Sequence, residues 1–84
     1  MEREKLEEIF EETPSHWDGD NAFQGLQILA KYTDKDIICG AGHDVIYSVT
    51  VDDVIDKLTE EDAIKLATLN WRIDDDCDCF ACFV

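Results

Sequence analysis

Apolar side chains recur at helical spacing over residues 2–12. Leu6, Ile9 and Phe10 share one face there, while glutamates fill most of the remaining positions. Pro14 follows and cannot continue a helix. The pattern predicts a short amphipathic helix with an acidic solvent face.

A second helical pattern begins after the turn-forming residues of 13–20. Asp20 or Asn21 offers a side-chain oxygen that would cap the first turn of this helix. We expect its buried side to carry Ala22, Phe23, Leu26, Leu29, Ala30 and Tyr32.

Residues 37–41 and 45–51 are β-branched and apolar, which is typical of strands. Gly42, His43 and Asp44 separate them and are residues that favour a tight turn. We predict an antiparallel hairpin.

Helical spacing returns over residues 50–58, and a further helix is predicted to follow over 59–69. Thr59 and Asp62 stand three residues apart and form a pair like a capping box at the start of the second segment. Asn70 is a residue that often ends a helix in the left-handed conformation.

The remaining residues predict a second hairpin. Trp71 and Ile73 share one face of a strand, residues 74–78 form a polar turn, and residues 79–84 are an apolar run. The predicted fold class is therefore α+β: a small antiparallel sheet of two hairpins with helices packed on one face. At 84 residues, the chain is expected to form one domain, 1–84.

Charge narrows the range of functions. Twenty-one acidic and seven basic residues give a net charge of -14, which repels phosphate backbones and anionic membranes. Hydrophobic residues make up 45% of the chain, which favours a folded core over disorder. The chain lacks the pattern of a signal peptide or a membrane span, so we expect a cytoplasmic protein that does not bind nucleic acid or membranes directly.

Four cysteines are too few for a disulfide scaffold, and a reducing cytoplasm fits them best. Cys77, Cys79 and Cys82, with Cys39 or His43, would make a four-ligand zinc set in principle. On a strand, however, Cys79 and Cys82 would point to opposite faces. We expect small buried thiols that pack as hydrophobic residues, and no bound metal.

Other patterns fall short of a known chemistry. The aspartates of 74–78 imitate the first ligands of a calcium loop but lack its glycine and its final glutamate. His16 and His43 have no catalytic partner at a fixed spacing, and residues 40–42 do not complete a dinucleotide-binding motif. We expect neither enzymatic activity nor a cofactor.

The acidic residues are distributed over three separate segments: the first helix, residues 52–62 and residues 74–78. Carboxylates three or four residues apart on a helix lie about 5–6 Å from one another, comparable with successive phosphates of a nucleic acid. Such a surface suits a basic groove. The predicted partner contacts are Asp52, Asp53, Asp56, Glu60, Glu61, Asp62, Asp74, Asp75 and Asp76.

Residues 41–47 (Ala-Gly-His-Asp-Val-Ile-Tyr), then Leu69-Asn70-Trp71 and the closing Asp-rich hairpin, resemble small uncharacterised proteins of bacteriophages and prophages. The resemblance covers roughly the second half of the chain and implies a phage or mobile-element origin. By size and charge only, the chain is also similar to phage-encoded anti-defence inhibitors, including anti-CRISPR and anti-restriction proteins that mimic DNA. Neither resemblance assigns a site residue.

The leading hypothesis is a non-enzymatic inhibitor that binds a basic nucleic-acid-handling protein of the host, with Trp17 or Phe83 as apolar anchors. An alternative is a small structural or adaptor protein that adds residues 79–84 to a partner's sheet or forms a homodimer. A third is a zinc-stabilised module built on the tail cysteines.

Overall fold

The fold, taken from a computed structural model, is described for residues 1–16 and 19–83. It begins with two helices, α1 (Arg3–Glu12) and α2 (Asn21–Ala30). A hairpin follows, formed by β1 (Gly40–Gly42) and β2 (Val45–Thr50), and then the helices α3 (Val51–Val54) and α4 (Glu60–Thr68). The second hairpin consists of β3 (Trp71–Asp74) and β4 (Cys79–Phe83).

The first helix matches its prediction. Leu6 and Ile9 are buried, and the glutamates of α1 face solvent. The Phe10 ring is half-buried and lies 6.2 Å from that of Phe80 in β4, so α1 packs on the sheet through its apolar stripe.

The buried face of α2 differs from the prediction. Leu29 is buried as expected, but Phe23 is 61% exposed and Ala30 is exposed, while Asn21, Gly25 and Ile28 are buried. The predicted Ala22, Leu26 and Tyr32 are half-buried.

The reason for this rotation is a close contact with the sheet. A Cβ atom at Gly25 would overlap the indole of Trp71. The Trp71 Nε1–H donates to the Asn21 carbonyl at 2.8 Å, which binds the start of α2 to β3. A helix whose smallest residue faces a tryptophan approaches more closely than its apolar pattern alone would place it.

Asn21 has a structural role instead of the predicted capping role. It is fully buried, and its side-chain amide donates to the carbonyls of His16 and Leu69 at 2.9 and 2.7 Å. The N-cap residue is Asp20, which makes no side-chain cap bond. Asn21 therefore connects the residues just before α2 to Leu69, 48 positions later in the chain.

The four strands form one antiparallel sheet in the order β1-β2-β4-β3. The predicted hairpins are both present, and β4 joins them by pairing with β2 on one side and β3 on the other. The first hairpin turns through His43, which has a positive φ of 51°. Regular strand begins at Gly40 instead of residue 37, although the Cys39 N–H already donates to the Tyr47 carbonyl at 2.8 Å.

The short helices begin and end with the predicted residues. Thr59 precedes α4, and its hydroxyl accepts the backbone N–H of Asp62 at 3.1 Å. Asn70 has a φ of 66° and carries the chain from α4 into β3. Val51, expected at the end of a strand, instead begins α3.

One face of the sheet carries the core. Phe80 and Cys82 of β4 lie in one buried cluster with Trp71 and with apolar side chains of the helices, including Leu6 and Leu66. Because side chains alternate along a strand, Cys79 and Ala81 point to the opposite face, which we call the outer face. The α+β class, with helices and an antiparallel sheet of two hairpins, is confirmed.

Candidate functional site

The three acidic segments meet around the start of α1. The Arg3 guanidinium donates to the Asp78 carboxylate at 2.5 Å, and Lys5 pairs with Glu60 of α4 at 3.6 Å. The Met1 ammonium donates to the Ile55 carbonyl at 2.6 Å, immediately after α3. Segments far apart in sequence therefore lie side by side.

The turn between β3 and β4, residues 75–78, which we call the tail turn, also contacts α3 directly. The Val51 N–H donates to the Asp78 carbonyl at 2.9 Å. Hydrogen bonding to Arg3 is the main cause that holds the pKa of Asp78 below its usual range. The turn at residues 75–78 is thus fixed between α1 and α3.

Six of the nine predicted contact residues have exposed side chains. The solvent side of α1 adds a shallow groove whose lining is almost entirely glutamate. We call these two sets together the acidic surface: Asp52, Asp56, Glu60, Glu61, Asp75 and Asp76, with Glu2, which precedes α1, and Glu4, Glu7, Glu8 and Glu11 of α1.

The other three predicted contact residues are half-buried and bind groups of the same chain. The Asp53 carboxylate accepts from Lys35 Nζ at 2.8 Å and from the Thr50 hydroxyl at 3.0 Å. These bonds lower the pKa of Asp53, the one from Lys35 most strongly. Asp53 therefore holds the 33–39 segment against α3.

Asp62 joins α4 to the end of α2. Burial alone would raise its pKa, but hydrogen bonds from Lys31 Nζ, at 2.8 Å, and from the Tyr32 hydroxyl outweigh burial and lower it. Its carboxylate is thus stabilised in the charged form by this chain's own donors.

Asp74 organises the tail turn. Its carboxylate accepts the backbone N–H groups of Asp76 and Cys77 at 2.9 and 3.4 Å, and Arg72 lies 4.0 Å away. The side chains of Asp53, Asp62 and Asp74 have structural roles, and the exposed carboxylates surround them.

Basic side chains do little to neutralise the acidic surface. Five of the seven cations are in ion pairs within the described residues, but three of them pair with the half-buried Asp53, Asp62 and Asp74. Arg3 and Lys5, which pair with Glu7 and Glu60 of the acidic surface, connect α1 to the tail turn and to α4. Their positions leave the outward carboxylates in excess.

The glutamates of α1 were absent from the predicted contact set, although the start of α1 contacts the tail turn and α4. Their spacing, on the side opposite Leu6 and Ile9, marks them as solvent-facing. The sequence carried no signal that Arg3 would reach Asp78, because that contact spans 75 residues.

Part of the acidic pattern stabilises the fold itself. Glu60, Glu61 and Asp62 occupy the first turn of α4, where negative charge interacts favourably with the helix macrodipole. This contribution does not require three outward carboxylates in α3 and the tail turn as well.

The prediction that the cysteines are free thiols is wrong for two of them. Cys77 and Cys79 form a disulfide with a Cα–Cα distance of 5.3 Å, within the ordinary range, instead of remaining free thiols. Cys82 is a buried thiol as expected, and burial raises its pKa. Cys39 is exposed.

The disulfide also removes two of the thiolates that a zinc site would need. In the part of the chain that is described, no group of three or more His, Cys, Asp or Glu side chains is arranged to hold a metal ion.

Of the two predicted aromatic anchors, Phe83 is 47% exposed, and the Arg72 guanidinium lies 4.4 Å from the centre of its ring. Trp17 lies outside the described residues.

Within residues 1–16 and 19–83, no helix combines the length and apolar character needed to cross a membrane. Comparisons with protein-family models, with curated proteins and with solved structures give no match to this chain.

Proposed function

We propose that the protein is a non-enzymatic inhibitor whose acidic surface binds a basic nucleic-acid-handling protein. The meeting of three acidic segments around α1 is the observation that carries this proposal. Carboxylates from α1, α3, α4 and the tail turn would face arginine and lysine side chains that otherwise hold phosphates.

The partner class follows from the charge. A net charge of -14 favours fast association with a basic groove and disfavours phosphate ligands. The proposed partner is a host defence nuclease or CRISPR complex, which the chain blocks as a DNA mimic in the host cytoplasm. The resemblance to phage proteins agrees with that role.

The alternative of strand addition through residues 79–84 finds less support. Both edges of β4 are already paired, with β2 and with β3, so its backbone groups are not open to a partner strand. A partner strand would have to pair with the short edge strands β1 or β3 instead.

Charge reversal at two sites tests the proposal. We expect D52K/D56K/E61K, on the acidic surface, to weaken binding at least about 10-fold in low salt, because close charge pairs contribute strongly at such interfaces. The assay captures host proteins on the immobilised chain, identifies them by mass spectrometry and elutes them with 0.5 M NaCl or with duplex DNA.

The matched control D34K/D36K/D44K changes the net charge equally at exposed positions in the 33–39 segment and the first hairpin turn. It should retain binding within about 3-fold. Equal losses of binding in both variants would mean that the net charge, and not the position of the carboxylates, causes the effect. The proposal fails if salt and DNA elute no basic nucleic-acid-handling protein.

A further inference from the structure

The outer face of the sheet contains a groove of about 360 Å³ with three cysteines in its lining. Cys77 and Cys79 form one wall as a disulfide, and the free thiol of Cys39 lies in the lining contributed by the β1 side. Tyr47 contributes an aromatic surface, and Asp74 and Asp76 contribute carboxylates. This groove is distinct from the acidic surface, which it meets only at the tail turn.

The disulfide is poorly suited to act as a structural cross-link. It joins residues two positions apart, and a cross-link restricts the unfolded chain least when the loop it closes is short. The same turn is already held by Asp74, by the Arg3–Asp78 pair and by the Val51 N–H bond. These contacts hold the turn in addition to the S–S bond.

The two cysteines of the disulfide differ in exposure. Cys77 is exposed, whereas Cys79 is only 3% exposed. Cys77 is therefore the residue more open to an incoming thiolate, and in the reaction proposed below Cys79 is the leaving group. The other buried cysteine, Cys82, lies on the core face and takes no part.

We propose that this groove is a thiol–disulfide exchange site that accepts a cysteine flanked by basic residues in a peptide or protein segment. The incoming thiolate forms a bond to Cys77 Sγ, and the Cys77–Cys79 bond breaks. Its electron pair leaves on Cys79 Sγ, which then takes a proton from water. One disulfide is replaced by another, so the step requires no oxidant.

The charges of the groove favour a cysteine that is flanked by basic residues. Asp74 and Asp76 line it, and Asp75 is exposed beside them. A small acidic thiol of the glutathione class is repelled there, whereas lysine or arginine next to the cysteine is attracted.

The test compares two peptide thiols, acetyl-Lys-Cys-Lys-amide and acetyl-Glu-Cys-Glu-amide, with the oxidised full chain. N-ethylmaleimide quenches the reaction, and mass spectrometry measures and maps the adduct. With rates normalised to thiolate concentration, we expect the basic peptide to react about 10-fold faster in low salt. The adduct should map to Cys77, with maleimide on Cys79, and 0.5 M NaCl should reduce the difference.

D76N should reduce the preference for the basic peptide. D44N makes the same charge change in the first hairpin turn, away from the groove, and should leave the preference unchanged. C39S should still form the adduct. Equal rates for the two peptides, or an adduct on Cys79, would overturn the proposal.

A separate measurement examines whether the bond is structural. C77S/C79S should unfold within a few degrees of the oxidised wild type, as followed by circular dichroism. A collapse of the fold in this variant would identify the disulfide as a structural cross-link and contradict the proposed role.

Discussion

Gly25 is the position at which α2 comes closest to the sheet. The Trp71 indole occupies the space that a side chain would need, and it also donates to the backbone of Asn21. One glycine thus decides which face of α2 is buried.

We expect Gly25→Ala to destabilise the fold by about 1–3 kcal/mol, the usual range for overpacking a filled core. Urea unfolding measures the change. Gly42→Ala is the matched control, because a Cβ atom there meets no atom within 4 Å. Equal stability losses in the two variants would mean that the contact with Trp71 is unimportant.

The sequence predicted roles that depend on neighbouring residues, and it did not predict roles that depend on distant residues. Thr59 and Asn70 act through neighbouring backbone groups, so their roles follow from short motifs. The burial of Asn21 and Gly25 depends on partners about 50 residues away, which no local pattern contains. The Cys77–Cys79 bond was not predicted, because four cysteines are too few for a disulfide scaffold and buried free thiols were expected instead.

At the scale of elements, α4 connects α1, α2 and β3. Its position depends on a defined N-terminus, since Thr59 and Asp62 also contact Tyr32 at the end of α2. The capping hydroxyl therefore influences the helix and its packing together.

Thr59→Ala should cost about 1 kcal/mol, the typical effect of losing an N-cap side chain. Thr59→Ser retains the hydroxyl and should remain close to wild type. Chemical denaturation of the three proteins side by side measures both differences. If the serine variant is as unstable as the alanine variant, the lost methyl group and not the cap explains the effect.

The elements of the acidic surface were predicted more fully than their arrangement. Three acidic segments are evident in the sequence, and the helices and turn that carry them were expected. Their meeting around α1 includes the Arg3–Asp78 and Lys5–Glu60 pairs, which join distant parts of the chain. Six of the nine predicted carboxylates face solvent, and Asp53, Asp62 and Asp74 bind within the molecule.

For the whole molecule, acidity has two opposing effects on stability. Unpaired carboxylates repel one another at a net charge of -14. Partial protonation reduces this repulsion and so stabilises the folded state. Asp53, Asp62 and Asp78 have lowered pKa values because of internal donors, and their protonation removes stability.

The lowered pKa values of these three aspartates determine how their contribution to stability changes with pH. Each lowered pKa contributes stability that is fully present above the ordinary aspartate pKa, near about 3.9, and is lost as the pH falls through the folded value. Urea unfolding of wild type and D53N/D62N/D78N at pH 6 and pH 3 measures the stability that these three carboxylates contribute. We expect wild type to be the more stable at pH 6 and this advantage to be smaller at pH 3.

D34N/D36N/D44N removes three carboxylates at exposed positions and serves as the control, because it should show no comparable advantage of wild type at pH 6. An advantage that persists unchanged at pH 3 would contradict the assigned role of the three aspartates.

The central position of β4 has a consequence for the order of folding. This strand is the last of the four to be synthesised, yet it alone joins the first hairpin to β3. Until it arrives, β2 has an open edge, and Trp71 lacks the neighbouring strand that completes its side of the core. The sheet is therefore expected to assemble in one late cooperative step, with sequence-distant pairing setting its rate.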